Sequence, residues 1–181
     1  MSSSTYAQAL SRVLDNERAR LSTWWPLVAD LNGTEAVSRY LARGRRGYLD
    51  GSALPYLILD GDEPIGEVCL AIDEQNRSAD LSYWLAEPHQ GRGIGRQAAH
   101  TLIDRALSEL GLIRIQAGTV AGNERSENLL RSLRFRREGR LRSAVQLAGR
   151  PADLVVYGLL AEEHRARPCT DHACYGAAAK A

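Results

Sequence analysis

The chain of 181 residues contains one lysine, Lys180, although lysine and arginine together number 23. Schiff-base chemistry, a pyridoxal-phosphate lysine and a P-loop lysine each need a lysine inside the fold, so none of these is expected. Charge of one sign is also lacking. The formal net charge is +1, so nothing global points to nucleic acid or to an anionic membrane. No run approaches the ~20 consecutive apolar residues that span a bilayer. Residues 1–6 are polar and uncharged with no apolar stretch behind them, which argues against secretion and for the cytoplasm. There are three cysteines. Cys69 lies in the apolar run Val68-Cys69-Leu70 and reads as a small core hydrophobe. Cys169 and Cys174 flank His172, with His164 upstream. That spacing fits no zinc pattern, so no metal is expected.

What remains is an ordinary globular composition, 44% hydrophobic and 25% charged, sized for one domain over residues 1–162 with a flexible tail at 163–181. Leu10, Val13, Leu14 and Leu21 recur near helical spacing over residues 6–21. A second helix is expected from a Thr34 cap to about Leu41 or beyond, before Gly44, Gly47 and Gly51 break the pattern. Three short apolar segments follow, 54–60, 65–73 and 77–85, and read as an antiparallel meander. A glycine-rich loop then leads into a helix at 94–110, a strand at 113–120, a helix capped by Asn123, and a hairpin over 135–160. This order implies a mixed α/β fold with one central strand–helix–strand crossover.

The loop carries the chemistry. It reads Gln90-Gly91-Arg92-Gly93-Ile94-Gly95, with a helix following at once. Glycines let the backbone come close to a ligand, and the unpaired N–H groups of a helix N-terminus attract a phosphate. A dinucleotide loop needs G-x-G-x-x-G after the first strand of a βαβ unit. Here the third glycine comes one residue early and the preceding strand ends a meander, so that fold is excluded.

Gln90-x-x-Gly93-x-Gly95 resembles the Q/R-x-x-G-x-G/A signature of the GNAT superfamily of acyl-CoA N-acyltransferases. The wider pattern is similar to the RimJ/RimL-type ribosomal-protein N-terminal acetyltransferases. It runs through Asp80-Leu81-Ser82-Tyr83-Trp84-Leu85, Asn123-x-x-Ser126, Leu133-Arg134-Phe135, Arg137-Glu138-Gly139 and Val155-Val156-Tyr157. The resemblance covers about residues 54–160. It implies a twisted, mostly antiparallel sheet flanked by helices. Acetyl-CoA would sit where the strand before the loop splays from the strand after its helix.

By the same resemblance, main-chain N–H groups of Arg92–Arg96 hold the pyrophosphate, with Arg92 and Arg96 adding charge at the rim. Main-chain groups of Trp84, Leu85 and Ala86 pair with pantetheine. Asn123 contacts pantetheine, and Ser126 lies near the thioester sulfur as proton donor. Many members use a tyrosine further along that helix, but none occurs between residues 84 and 156. Ribosomal-branch members often place a glutamate where this chain has Val145. Glu67 and Asp80, on adjacent strands near the loop, are the candidate bases, acting through water. Arg131, Arg134, Arg136, Arg137, Arg140 and Arg142 crowd one stretch. They read first as a solvated face, with Arg131 best placed for the 3′-phosphate. No direct nucleic-acid role is expected.

The amine would attack the thioester directly, with no acyl-enzyme. An α-amine, with a reference pKa of about 7.7–8.0, asks less of a base than a lysine amine. The expected function is therefore acetyl transfer to a protein N-terminal amine. A small-amine or antibiotic acetyltransferase and a non-catalytic acyl-CoA sensor remain open, as does a homodimer.

Overall fold

The structure, a computed structural model, describes residues 3–166. Helices α1 (Ser3–Leu21) and α2 (Gly33–Asp50) come first, joined through a 3₁₀ turn at Pro26–Asp30. Strands β1 (Ala53–Asp60), β2 (Glu63–Asp73) and β3 (Ser78–Leu85) follow. Then come α3 (Ile94–Ser108), β4 (Arg114–Val120), α4 (Glu124–Ser132), β5 (Arg136–Leu147), β6 (Arg150–Leu160) and a short α5 (Ala161–Arg165). The strands form one sheet in the order β1-β2-β3-β4-β6-β5. Every neighbouring pair is antiparallel except β3 with β4. The mixed α/β class and mostly antiparallel sheet agree with the sequence. Among the described residues no helix is long and apolar enough to cross a membrane.

Side chains alternate across a strand, so the sheet offers two apolar faces. One is covered by α3 and α4, whose Leu102, Ile103, Leu107 and Leu130 pack on Leu70, Leu81 and Ile115. The other is covered by α1 and α2. There Ala7, Leu10, Leu14 and Leu21 of α1 form a stripe that meets Val28, Val37 and Trp84. Burying each such leucine contributes roughly 1.5–3 kcal/mol. Glu17 falls in the same stripe and is buried with it.

Helix α2 continues beyond Leu41, through Gly44 and Gly47 where a break was expected, and stops at Gly51 in the left-handed conformation. It starts at Gly33 rather than behind a Thr34 cap. The two internal glycines are explained by β1. A Cβ on Gly44 would stand 3.3 Å from Pro55 Cγ, and one on Gly47 would stand 3.0 Å from the Ala53 Cβ. Their helix cost of up to ~1 kcal/mol each is accepted where the helix must lie close to the strand.

The C-terminal boundary also moves. Residue 163 lies inside α5, which is tied down: Glu163 accepts from Leu160 N at 3.1 Å and pairs with Arg136 at 2.9 Å. His164 Nε2 lies 3.1 Å from Asp104 Oδ1, and Arg165 donates to Leu107 O at 3.2 Å. Cys169, His172 and Cys174 lie outside the described residues.

Gly66 is the tightest position between β2 and β3, since a Cβ there would stand 2.4 Å from the Trp84 carbonyl oxygen. A backbone atom cannot swing aside. Gly66→Ala is expected to cost about 2–3 kcal/mol, in the overpacking range, read from urea unfolding.

Candidate active site

The parallel pair is short. β3 meets β4 over three positions, Ser78 with Arg114, Ala79 with Ile115 and Asp80 with Gln116. Beyond them β4 continues against β6, while β3 runs on to Leu85 with β2 alone. A wedge opens between residues 81–85 and 117–120. Ala86 N donates to Ile65 O at 2.8 Å, and its carbonyl accepts from His89 N at 3.0 Å. Backbone groups alternate direction along a strand, so Trp84 also faces β2, and the Tyr83 and Leu85 N–H groups face the wedge. Of the strand-end residues, Trp84 and Ala86 thus turn their N–H groups to β2, and Tyr83 and Leu85 turn theirs to the wedge. The Leu85 carbonyl is itself held, by Arg20 at 2.9 Å and Gln90 at 2.7 Å.

The glycine loop lies at the open end of the wedge. Gly91 and Gly93 have φ of 73° and 78°, and a Cβ on either would meet nothing within 4 Å. Both therefore border open space that a ligand can enter against bare backbone. Gly93 begins α3, and Gln97 N is the first N–H to bond one turn back, to Gly93 O at 2.9 Å. The N–H groups of Ile94, Gly95 and Arg96 precede it and have no such carbonyl, at the positive end of the helix. Arg92 is exposed and Arg96 half-buried beside them. The Gln90 amide bridges Leu85 O to Arg125, which donates to Gln90 Oε1 at 2.7 Å, so it braces the loop.

Helix α4 enters from the other side of the wedge. Asn123 caps it, accepting from Ser126 N at 3.2 Å. The Ser126 hydroxyl lies 2.8 Å from the Tyr83 hydroxyl, which also donates to Ser126 O at 3.2 Å. Burial pushes the Tyr83 hydroxyl up to about 12, so it stays protonated near neutral pH. A tyrosine hydroxyl therefore does stand beside Ser126, brought by β3 and not by α4. Arg131 makes contacts within α4. It donates to Asn128 at 2.7 Å and to Glu127 at 2.8 Å.

Glu67 stands beside Trp84 in the β2–β3 register and is 6% exposed. Tyr40 of α2 donates to its Oε1 at 2.8 Å. Its Oε2 and the neighbouring Trp84 indole N–H are buried without a hydrogen-bond partner. Burial pushes the carboxyl up to about 7, and the Tyr40 hydroxyl and the nearby indole partly offset that. Glu67 lines a cavity of about 790 Å3 under α2, together with Tyr6, Tyr40, Leu57 and Cys69. Burial, then Glu67 itself, push the Cys69 thiol up to about 11, so it is not a nucleophile.

Asp80 is not brought to this cavity. It is exposed, pairs with Gln116 at the closed end of the wedge, and acts on Arg114. Four residues of strand, about 13 Å, separate it from Trp84. Sequence reasoning also missed Glu17 and Arg20. Glu17 accepts from Glu87 N at 3.0 Å and from Arg20 Nε at 2.6 Å. Together they fix the end of β3 against α1. An acid on the apolar stripe of α1 was the available signal.

Comparison with known proteins gives the context. YdaF of Bacillus subtilis (strain 168), whose name assigns it provisionally to the ribosomal N-acetyltransferases, is 34% identical over 140 residues, covering 77% of this chain and 66% of that protein. Five curated relatives are matched over 56–67% of their own length. Mycobacterium smegmatis RimJ, solved in complex with CoA-disulfide, superposes with a TM-score of 0.82 at 25% identity, covering 89% of this chain and 80% of that one. RimL, a ribosomal L7/L12 alpha-N-protein acetyltransferase solved with coenzyme A, has a TM-score of 0.84 at 24% identity, covering 88% and 91%, which shows the shared fold. Residues 4–136 match the acetyltransferase (GNAT) domain, and the chain belongs to that family.

Proposed function

We propose that the protein is an acetyl-CoA-dependent N-acetyltransferase acting on a protein N-terminal α-amine, in the cytoplasm. One pairing supports this most: an anion cradle at the Gly91–Arg96 loop at the end of the β3–β4 wedge, and a buried carboxylate at Glu67, on the adjoining strand beside Trp84. The residues present fit the cosubstrate. Gly91 and Gly93 leave space where a Cβ would stand. The N–H groups of Ile94, Gly95 and Arg96 suit the pyrophosphate, and those of Tyr83 and Leu85 suit the amides of pantetheine. Acetyl-CoA supplies an activated thioester.

The chain's own groups handle the protons. Glu67 Oε2, or a water on it, takes the proton that the amine loses as its nitrogen bonds the acetyl carbon. Ser126 Oγ, held by the Tyr83 hydroxyl on a residue whose backbone N–H is capped by Asn123, gives the sulfur a proton as the C–S bond breaks. Tyr83 can restore that proton through their shared hydrogen bond. The products are an N-acetyl amide and the free CoA thiol. Ionised Glu67 is the competent form, and its raised pKa makes it a stronger base near pH 7 than an ordinary carboxylate.

RimL and RimJ relatives, and the Escherichia coli ribosomal-protein-serine acetyltransferase at 32% identity over 114 residues, support a protein acceptor. Ser126→Ala is expected to lower kcat about tenfold, below the usual general-acid range because serine is a weak acid. KM for acetyl-CoA should hold, since the loop is untouched. Steady-state release of CoA thiol against an N-terminal peptide tests this. An unchanged kcat would leave Ser126 only its capping role.

A further inference from the structure

The cavity that holds Glu67 continues under α2, which lines it with Arg43, Arg45 and Arg46. A smaller cavity of about 400 Å3 shares Tyr40, Arg43 and Arg46 with it. Arg39 of the same helix is paired with Glu35 at 2.5 Å. Among the described residues, Arg43, Arg45 and Arg46 have no carboxylate partner. The acids in the same space do not answer them. Asp50 accepts from Ser52 N and Oγ at 3.0 and 2.6 Å, and Asp30 lies in the smaller cavity. A chain with a net charge of +1 has no general need for this local excess.

The arginines are placed along a line from Glu67. Tyr40, which donates to Glu67, has the Arg43 guanidinium 6.0 Å from its ring centroid. At 1.5 Å per helical residue, Arg43 lies about 4.5 Å and Arg46 about 9 Å beyond Tyr40 along α2. An extended peptide advances about 3.4 Å per residue. A chain whose amine sits at Glu67 would bring its second residue level with Arg43. Its third or fourth would come level with Arg46.

We propose that the acceptor is an acidic N-terminal segment whose carboxylates, at the second and at the third or fourth positions, are held by Arg43 and Arg46. This rests on the assignment of the cavity to the acceptor amine. Arginine suits the task because its planar fork meets a carboxylate with two donors.

The test is calorimetric titration of the full chain, with CoA present, using the peptide Ser-Asp-Glu-Glu and its amide counterpart Ser-Asn-Gln-Gln. The acidic peptide should bind about tenfold tighter, as two partly exposed ion pairs allow. Its advantage should shrink at about 0.5 M salt through screening. Arg43→Gln with Arg46→Gln should bring the acidic peptide to the affinity of the amide peptide, and Arg43→Lys with Arg46→Lys should restore part of the difference. Equal affinities in the wild type, or a preference that survives the glutamine pair, would overturn the proposal. Binding is read without turnover. An acidic peptide that binds tightly but is never acetylated would sustain this preference and overturn the transfer reaction alone.

Discussion

Glu67→Gln is expected to lower kcat/KM at pH 7 by about 100-fold, within the range of general acid–base catalysis. The size follows from the surroundings. Wild-type Glu67 is buried, held by Tyr40 at 2.8 Å, and pushed up to about 7 from 4.5. Its rate should rise as pH passes through about 7 and the carboxylate ionises, and the glutamine variant should lose that limb. The deficit should narrow above pH 8, where an α-amine is already neutral.

Stability should move the other way, and the sign is fixed by linkage. The folded state holds the Glu67 proton more tightly than the unfolded chain. This group therefore favours folding fully below about 4.5, and that contribution is lost as pH rises through about 7. Glu67→Gln should thus raise Tm relative to wild type at pH 8 and change it little at pH 4.5. A variant that loses activity and also melts lower at pH 8 would mean that Glu67 is only a structural group.

Gly93→Asp is expected to weaken acetyl-CoA binding by about 100-fold, through two costs. At φ of 78° a residue with a Cβ is strained by roughly 1–2 kcal/mol. A carboxylate at the start of α3 would also occupy the anion's place and repel it. The space itself is open, since a Cβ meets nothing within 4 Å, so the fold should survive, with the strain lowering Tm by about 2–8 °C. Calorimetry with acetyl-CoA reads the loss. Full-strength binding by this variant would place the pyrophosphate elsewhere.

Much of this was legible in the residues, for physical reasons that differ from part to part. The sheet order followed from short apolar segments and turn residues, because alternation and punctuation are local signals. The loop was legible because three glycines before a helix leave few other uses. The end of helix α2 was left open because glycine reads as a breaker, and nothing local says that Gly44 and Gly47 face β1. The partners that Trp84, Ala86 and Gln90 find within the chain were hidden for a related reason. Which backbone groups face the wedge depends on the β2–β3 register, and the register is a long-range property. Tyr83 reaches Ser126 across 43 positions of sequence, and Tyr40 reaches Glu67 across 27. Glu67 and Asp80 looked alike as strand carboxylates. Only folding buries one and leaves the other beside Arg114.

The most direct measurement is to incubate the protein with acetyl-CoA and an acidic peptide that carries a free N-terminus and an internal lysine. Tandem mass spectrometry then locates the acetyl group, with CoA thiol followed in parallel. The account predicts acetylation of the α-amine alone, with thiol released in equal amount and both signals reduced about 100-fold in Glu67→Gln. Acetyl groups on the lysine side chain would contradict it, as would acetyl-CoA binding with no thiol released above hydrolysis.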